Sequence, residues 1–276
     1  MGERRPRLAG KVAIVTGAGS SGPGTGTGNA TAILFAREGA SVLLVDQSAE
    51  RAEQTLATIQ QQGGEASVYA ADITQAPDCQ AMVEAARDRY GGLHVLMNNV
   101  GILGYGTVVD VTEETWDRVF EVNLKSMMLT SKFAVPAIIE SGGGAIINIS
   151  STEALRASSS AVTPYNASKA GIIGLTNAMA AHHGRDNIRV NCIAPGFLYT
   201  PMVAPLLTEE SRESRRQASL LGTEGTAWDV AWAAVFLASD ESRWITGIVL
   251  PVEAGLLTST PLPTLNYESS DSGNKP

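Results

Sequence analysis

Tyr165 and Lys169 stand four residues apart in the run YNASK. On a helix that spacing puts both side chains on one face. An ammonium beside a phenol favours the phenolate and lowers a pKa that otherwise lies near ~10, which brings proton exchange toward neutral pH. Just upstream, Ser150 and Ser151 close an apolar run, at the carboxyl edge where open α/β sheets bind ligands. A second constellation lies near the start of the chain. Six glycines fall between Gly17 and Gly28, in TGAGSSGPGTGTG. Glycines allow a tight turn and a close backbone approach to a pyrophosphate, and a helix starting beyond them offers free N–H groups and a favourable dipole. Asp46 ends the next apolar run, roughly twenty residues past the turn, where a carboxylate suits the ribose hydroxyls of NAD and repels the extra phosphate of NADP. The expected cofactor is therefore NAD.

These residues need a scaffold, and the hydrophobic pattern supplies one. Short β-rich runs occur at 12–16, 41–46, 66–70, 94–98, 145–150, 188–193 and 248–252. Amphipathic stretches fall at 29–38, 49–62, 79–90, 113–139, 165–182 and 227–237. Strand-then-helix alternation predicts βαβ units, hence an α/β fold of Rossmann type: a doubly wound parallel sheet of about seven strands with helices on both faces. Gly17, Gly19 and Gly22 satisfy GxGxxG literally. Pro23 follows, however, and the helical pattern begins only near Gly28, so Gly26 and Gly28 are expected at the helix entrance and 20–25 in an extended loop. Trp228, Trp232, Val235 and Phe236 read as a core-facing helical stripe. His182 and His183 read as helix-end residues, where a cation is favourable, rather than as catalytic bases.

Composition excludes several classes. Of 276 residues, 44% are hydrophobic and 17% charged, which rules out wholesale disorder. A net charge of -8 argues against a nucleic-acid partner. The two cysteines, Cys79 and Cys192, have no metal-ligand spacing, so neither a disulfide framework nor a metal site is expected. No apolar run is long enough to span a membrane, and 12–15 is too short for the apolar part of a signal peptide. A cytoplasmic protein is expected. Residues 1–257 read as a single domain, 197–222 as a substrate lid, and 258–276 as a polar, flexible tail.

Taken together, the motifs resemble the short-chain dehydrogenase/reductase family from Leu8 to about Gly255. The carriers are the glycine turn after VAIVTG, Asp72 in ADIT, NNVG at Asn98–Gly101, Asn123 in VNLKS, INISS ending at Ser151, YNASK, and the run from Ile193 to Thr200. The resemblance implies Tyr165 as general acid/base, Ser151 on the substrate oxygen, Lys169 on the nicotinamide ribose, and Asn123 holding a water of the proton relay. It implies Gly17, Gly26, Gly28 and Asp46 at the adenosine and phosphate end, Asp72 and Ile73 flanking the adenine, and Asn99 lining the cleft. Leu198, through its backbone, and Thr200 are implied at the carboxamide end. Eight residues separate Gly17 from Gly26, five more than the family's usual three, and Ser151 precedes Tyr165 by fourteen positions rather than thirteen.

The expected activity is NAD-dependent interconversion of a secondary alcohol and a carbonyl, with the alternative of a non-catalytic NAD-binding regulator or scaffold on the same fold. The expected partners are a small-molecule alcohol or carbonyl substrate and further copies of the chain, as a dimer or tetramer. For the substrate pocket the candidate segments are 103–105, 153–163 and 197–221; within them Leu103, Leu155, Val162 and Phe197 supply apolar side chains, and Arg156 a site for an anionic group.

Overall fold

A computed structural model describes residues 6–258; the expected tail beyond Thr258 lies outside the described residues. The elements alternate as the hydrophobic pattern requires: β1 (Val12–Thr16), α1 (Thr27–Arg37), β2 (Ser41–Asp46), α2 (Ala49–Gln61), β3 (Glu65–Ala70), α3 (Ala76–Tyr90) and β4 (Val95–Asn98). They continue with α4 (Glu113–Phe120), α5 (Ser126–Glu140), β5 (Gly144–Ile149), α6 (Thr163–His183), β6 (Ile188–Pro195), α7 (Glu209–Ala218), α8 (Ala227–Ala238) and β7 (Val249–Val252). The sheet order is β3-β2-β1-β4-β5-β6-β7, and every pairing is parallel. This is the Rossmann-type doubly wound architecture, with its reversal of strand order between β1 and β4.

Each central strand is buried on both faces because its side chains alternate between two cores. Ala13 and Val15 of β1, with Val42 and Leu44 of β2, join the core under α1, α2 and α8; Val12, Ile14, Leu43 and Val45 join the core under α3, α5 and α6. Two layers of helices thus clamp the sheet and fix its carboxyl edge, where the chemistry-bearing residues collect.

Three elements differ from the hydrophobic reading. The single helix expected over 113–139 is interrupted by a π-helical turn, Glu121–Lys125, between α4 and α5. One residue inserted into an otherwise helical ladder leaves the apolar pattern nearly intact, so periodicity does not register it. Within 197–222 the structure forms α7, a helix so rich in charge that it carries no apolar stripe. In α8 the core-facing residues are Ala227, Val230, Ala231, Ala234, Val235 and Leu237, with Trp228 and Phe236 partly buried against them. Trp232 turns outward and is 43% exposed, so small residues rather than that tryptophan make the contact with α1.

Candidate active site

The cofactor end is built from the β1–α1 connection. Gly17 leaves β1 at φ +64°, in the left-handed region where glycine alone is unstrained. A Cβ on Gly28 would lie 1.9 Å from the Gly17 carbonyl oxygen, so only glycine lets α1 approach the turn this closely. Gly26 is the N-cap of α1; it provides no side-chain cap, and the first turn holds no acidic residue. The first N–H groups of α1 therefore face the cleft without a protein partner, an arrangement suited to a pyrophosphate. Asn99 fixes the turn from β4, its Nδ2 donating to the carbonyls of Thr16 and Gly17 at 3.3 and 3.4 Å. Between Gly17 and α1 the long loop folds on itself, with the Ser20 hydroxyl 2.7 and 3.0 Å from the carbonyl oxygens of Gly22 and Gly24.

Asp46 ends β2 beside this turn. Its two oxygens accept backbone N–H bonds from Gly19 and Ser48, both at 3.0 Å, which lock its orientation. Asp72 plays a similar part after β3, accepting from the backbone N–H and the hydroxyl of Thr74. Gly17, Gly26, Gly28, Asp46, Asp72, Ile73, Asn99, Ser151, Tyr165, Lys169, Leu198 and Thr200 all line one cleft of about 670 Å³ at the carboxyl edge of the sheet. That volume lies within the range of small-molecule and cofactor sites.

At the other end of the cleft, α6 presents Tyr165 and Lys169 one turn apart. The Ser151 hydroxyl lies beside the Tyr165 phenol and lowers its pKa, whereas the Ser150 hydroxyl donates to the Lys169 carbonyl at 2.7 Å. The two serines are thus separated by what they touch: Ser151 faces the phenol and Ser150 ties β5 to α6. Lys169 is buried, and its Nζ donates to the Ile149 carbonyl at 2.9 Å. Burial lowers its pKa to about 8, against a small opposing influence of the Cys192 thiol. The expected depression of the tyrosine pKa by Lys169 does not prevail. Burial raises the Tyr165 pKa, the Ser151 hydroxyl lowers it, and the Glu153 carboxylate raises it further. The ammonium stands 5.6 Å from the ring centroid and gives one of its three hydrogens to the Ile149 carbonyl, which leaves two for a ligand.

Asn123 does not line the cleft. It lies fully buried behind it, in the middle of the π-helical turn. Its Nδ2 donates to the Ile102 carbonyl and to the Ser168 hydroxyl, each at 3.0 Å, and its Oδ1 accepts from the Ile102 N–H at 2.8 Å. Both amide hydrogens are therefore used within the protein, and only an Oδ1 lone pair is left for a water.

Other expectations move. Of the expected pocket segments, Leu103 and Tyr105 line the cleft, as do Met202, Val203, Leu206 and Arg215 of 197–221, whereas Leu155, Val162, Phe197 and Arg156 are not among its walls. His183 pairs with Asp186 at 3.1 Å at the end of α6, away from the cleft. Two arginines outside every expected segment, Arg51 on α2 and Arg118 on α4, also line it. Neither belongs to a motif, and only the fold brings them there.

Comparison with known proteins places this geometry. Residues 22–257 match the family described as enoyl-(acyl carrier protein) reductase. The 3-oxoacyl-(acyl-carrier-protein) reductase FabG of Thermotoga maritima is 39% identical over 251 residues, 91% of this chain and 99% of that protein. A crystal structure of a short-chain dehydrogenase/reductase from Burkholderia xenovorans matches with TM-score 0.88 and 38% identity, covering 92% of this chain and 99% of that one. The chain belongs to the short-chain dehydrogenase/reductase family. As such it is an oxidoreductase of a class that uses NAD(P). Cyclohexanol dehydrogenase of Acinetobacter sp. (strain SE19) is also similar, 37% identical over 86% of this chain and 91% of its own length. Among the described residues no helix is long and apolar enough to cross a membrane, and no cluster of side chains could hold a metal ion.

Proposed function

We propose that this enzyme interconverts a secondary alcohol and a ketone, with NAD as the preferred cofactor and Tyr165 as general acid/base. The observation that carries the proposal is the joining of Ser151, Tyr165 and Lys169 with the uncapped amino terminus of α1 in a single cleft. A bound nicotinamide supplies or accepts the hydride; the protein positions the reactants and moves the proton. Ser151 and Tyr165 hold the substrate oxygen between them, and the phenolic oxygen takes the alcohol proton in oxidation or returns it in reduction. Lys169, charged and desolvated, binds the ribose hydroxyls and passes the proton outward. Asn123 acts as a positioning residue that fixes Ile102 and α6, with its remaining lone pair available to a water of the relay.

The cofactor residues fit a dinucleotide: free N–H groups at α1 for the pyrophosphate, Asp46 for the adenosine ribose, and Asp72 and Ile73 beside the adenine. NAD preference rests on Asp46. Arg51, which lines the cleft and whose Cβ lies close to Gly19, favours a second reading in which the 2′-phosphate of NADP is tolerated. Both ends of the cleft share one sheet, which supports 1–257 as one catalytic unit with 197–222 as its substrate lid. A panel of secondary alcohols and ketones assayed with NAD(H) and NADP(H) tests the proposal. Turnover of at least one pair, faster with NAD(H), is expected; no turnover on any member would support a non-catalytic NAD-binding protein instead.

A further inference from the structure

Three arginines line the cleft, and their surroundings differ. Arg51 lies near Gly19 of the glycine-rich turn. Arg118 is already neutralised by Glu121 at 2.7 Å. Arg215, on α7, lines the cleft together with Met202, Val203 and Leu206 of the connection that precedes α7. On the same helix, Arg212 pairs with Glu209 and Glu224, and Arg216 with Glu209 and Glu213. Among the described residues no carboxylate stands within ion-pair distance of Arg215. Its guanidinium rests on the Phe197 ring, 4.9 Å from the centroid, and one Nη2 hydrogen is donated to the Leu198 carbonyl at 3.0 Å. Its Nε is buried and makes no hydrogen bond.

A half-buried cation without a direct ion pair is costly: burial pulls the Arg215 pKa down, against the attraction of the more distant Glu224 carboxylate, which raises it. The protein nevertheless holds the group in place, by stacking on one side and by a backbone carbonyl on the other, while Arg212 takes the direct contact with Glu224. We propose that Arg215 is a specificity-determining residue that binds a carboxylate on the substrate, so that the preferred substrates are hydroxy acids and their oxo-acid products. This rests on the alcohol–carbonyl reading of the cleft. A planar guanidinium with hydrogens to spare matches a carboxylate edge. With Arg118 paired to Glu121, the one positive charge that Arg215 offers suits one negative charge better than the two of a phosphate monoester.

The test is equilibrium binding by titration calorimetry of the cofactor-loaded protein. The probes are 3-hydroxybutanoate, 4-hydroxypentanoate and their methyl esters, with wild type, Arg215→Gln and Arg215→Lys. For at least one pair the acid is expected to bind wild type tenfold or more tighter than its ester. The difference vanishes in Arg215→Gln and is partly restored in Arg215→Lys. Equal affinities of acids and esters for wild type, or an acid preference that survives in Arg215→Gln, overturn the proposal. Loss of NAD affinity in Arg215→Gln with acid preference intact would assign the arginine to the cofactor and overturn it as well. Turnover is read separately: an intact acid preference without any oxidation would sink the alcohol–carbonyl reading and leave the anion site standing.

Discussion

At the scale of single residues, the proposed preference for NAD rests on where charge is placed. The Asp46 carboxylate is fixed by the N–H groups of Gly19 and Ser48, so it cannot swing away from a 2′-phosphate at little cost. Asp46→Ala should narrow the NAD-over-NADP ratio of kcat/KM about tenfold or more, chiefly through KM, because the ribose contact is remote from the reacting carbon. An unchanged ratio would remove Asp46 from the cofactor site. Proton transfer sets the pH dependence. Burial and Glu153 raise the Tyr165 pKa against the pull of Ser151, so the phenolate is scarce at neutral pH. Alcohol oxidation needs the phenolate, and its kcat/KM should climb as pH rises above neutrality. Ketone reduction needs the phenol and should stay level there, falling only at higher pH. Profiles measured in both directions check this; an oxidation rate that falls with rising pH contradicts the assignment. YNASK announces the helical pairing of Tyr165 with Lys169, but no spacing rule shows that the ammonium is tied to the Ile149 carbonyl.

At the scale of elements, the glycine-rich connection is the feature that sets this chain apart. The expected entrance at Gly26 and Gly28 is where α1 begins, because the helical pattern and the glycines agree there. The path of the eight intervening residues was not legible: they lack periodicity, and their conformation depends on distant contacts. Cβ atoms built on Gly22 and Gly24 would lie 3.7 and 3.8 Å from Pro201, so the loop reaches the 197–222 segment on the opposite wall of the cleft. Ser20 and Ser21 also line the cleft. Removing five of the eight residues between Gly17 and Gly26 should weaken NAD binding several-fold in a variant that still folds, as read by fluorescence titration. Unchanged affinity would make the loop a bystander. The π-helical turn was hidden for another reason. Asn123 is visible as a motif residue, but the extra residue that turns its amide onto Ile102 and Ser168 leaves the hydrophobic pattern continuous.

At the scale of the whole molecule, the parallel sheet and its two-sided burial were legible from the sequence, because doubly covered strands read as apolar runs such as VAIV and VLLV, whereas the order of the strands was not. The outer surface was not. Trp244 is 93% exposed and Trp232 43% exposed, and the expected self-association of the chain would cover side chains of this kind. Light scattering should therefore give a dimer or tetramer mass; a monomer would contradict self-association through these residues. The central claim is that one cleft couples cofactor binding to proton transfer at Tyr165. Its most direct test is steady-state turnover of wild type and Tyr165→Phe on the best alcohol of the panel, with NAD affinity measured in parallel. The phenylalanine keeps the ring and removes the hydroxyl, so kcat should fall about a hundredfold or more while NAD affinity stays within a few-fold of wild type. Near-normal turnover in Tyr165→Phe would contradict the account.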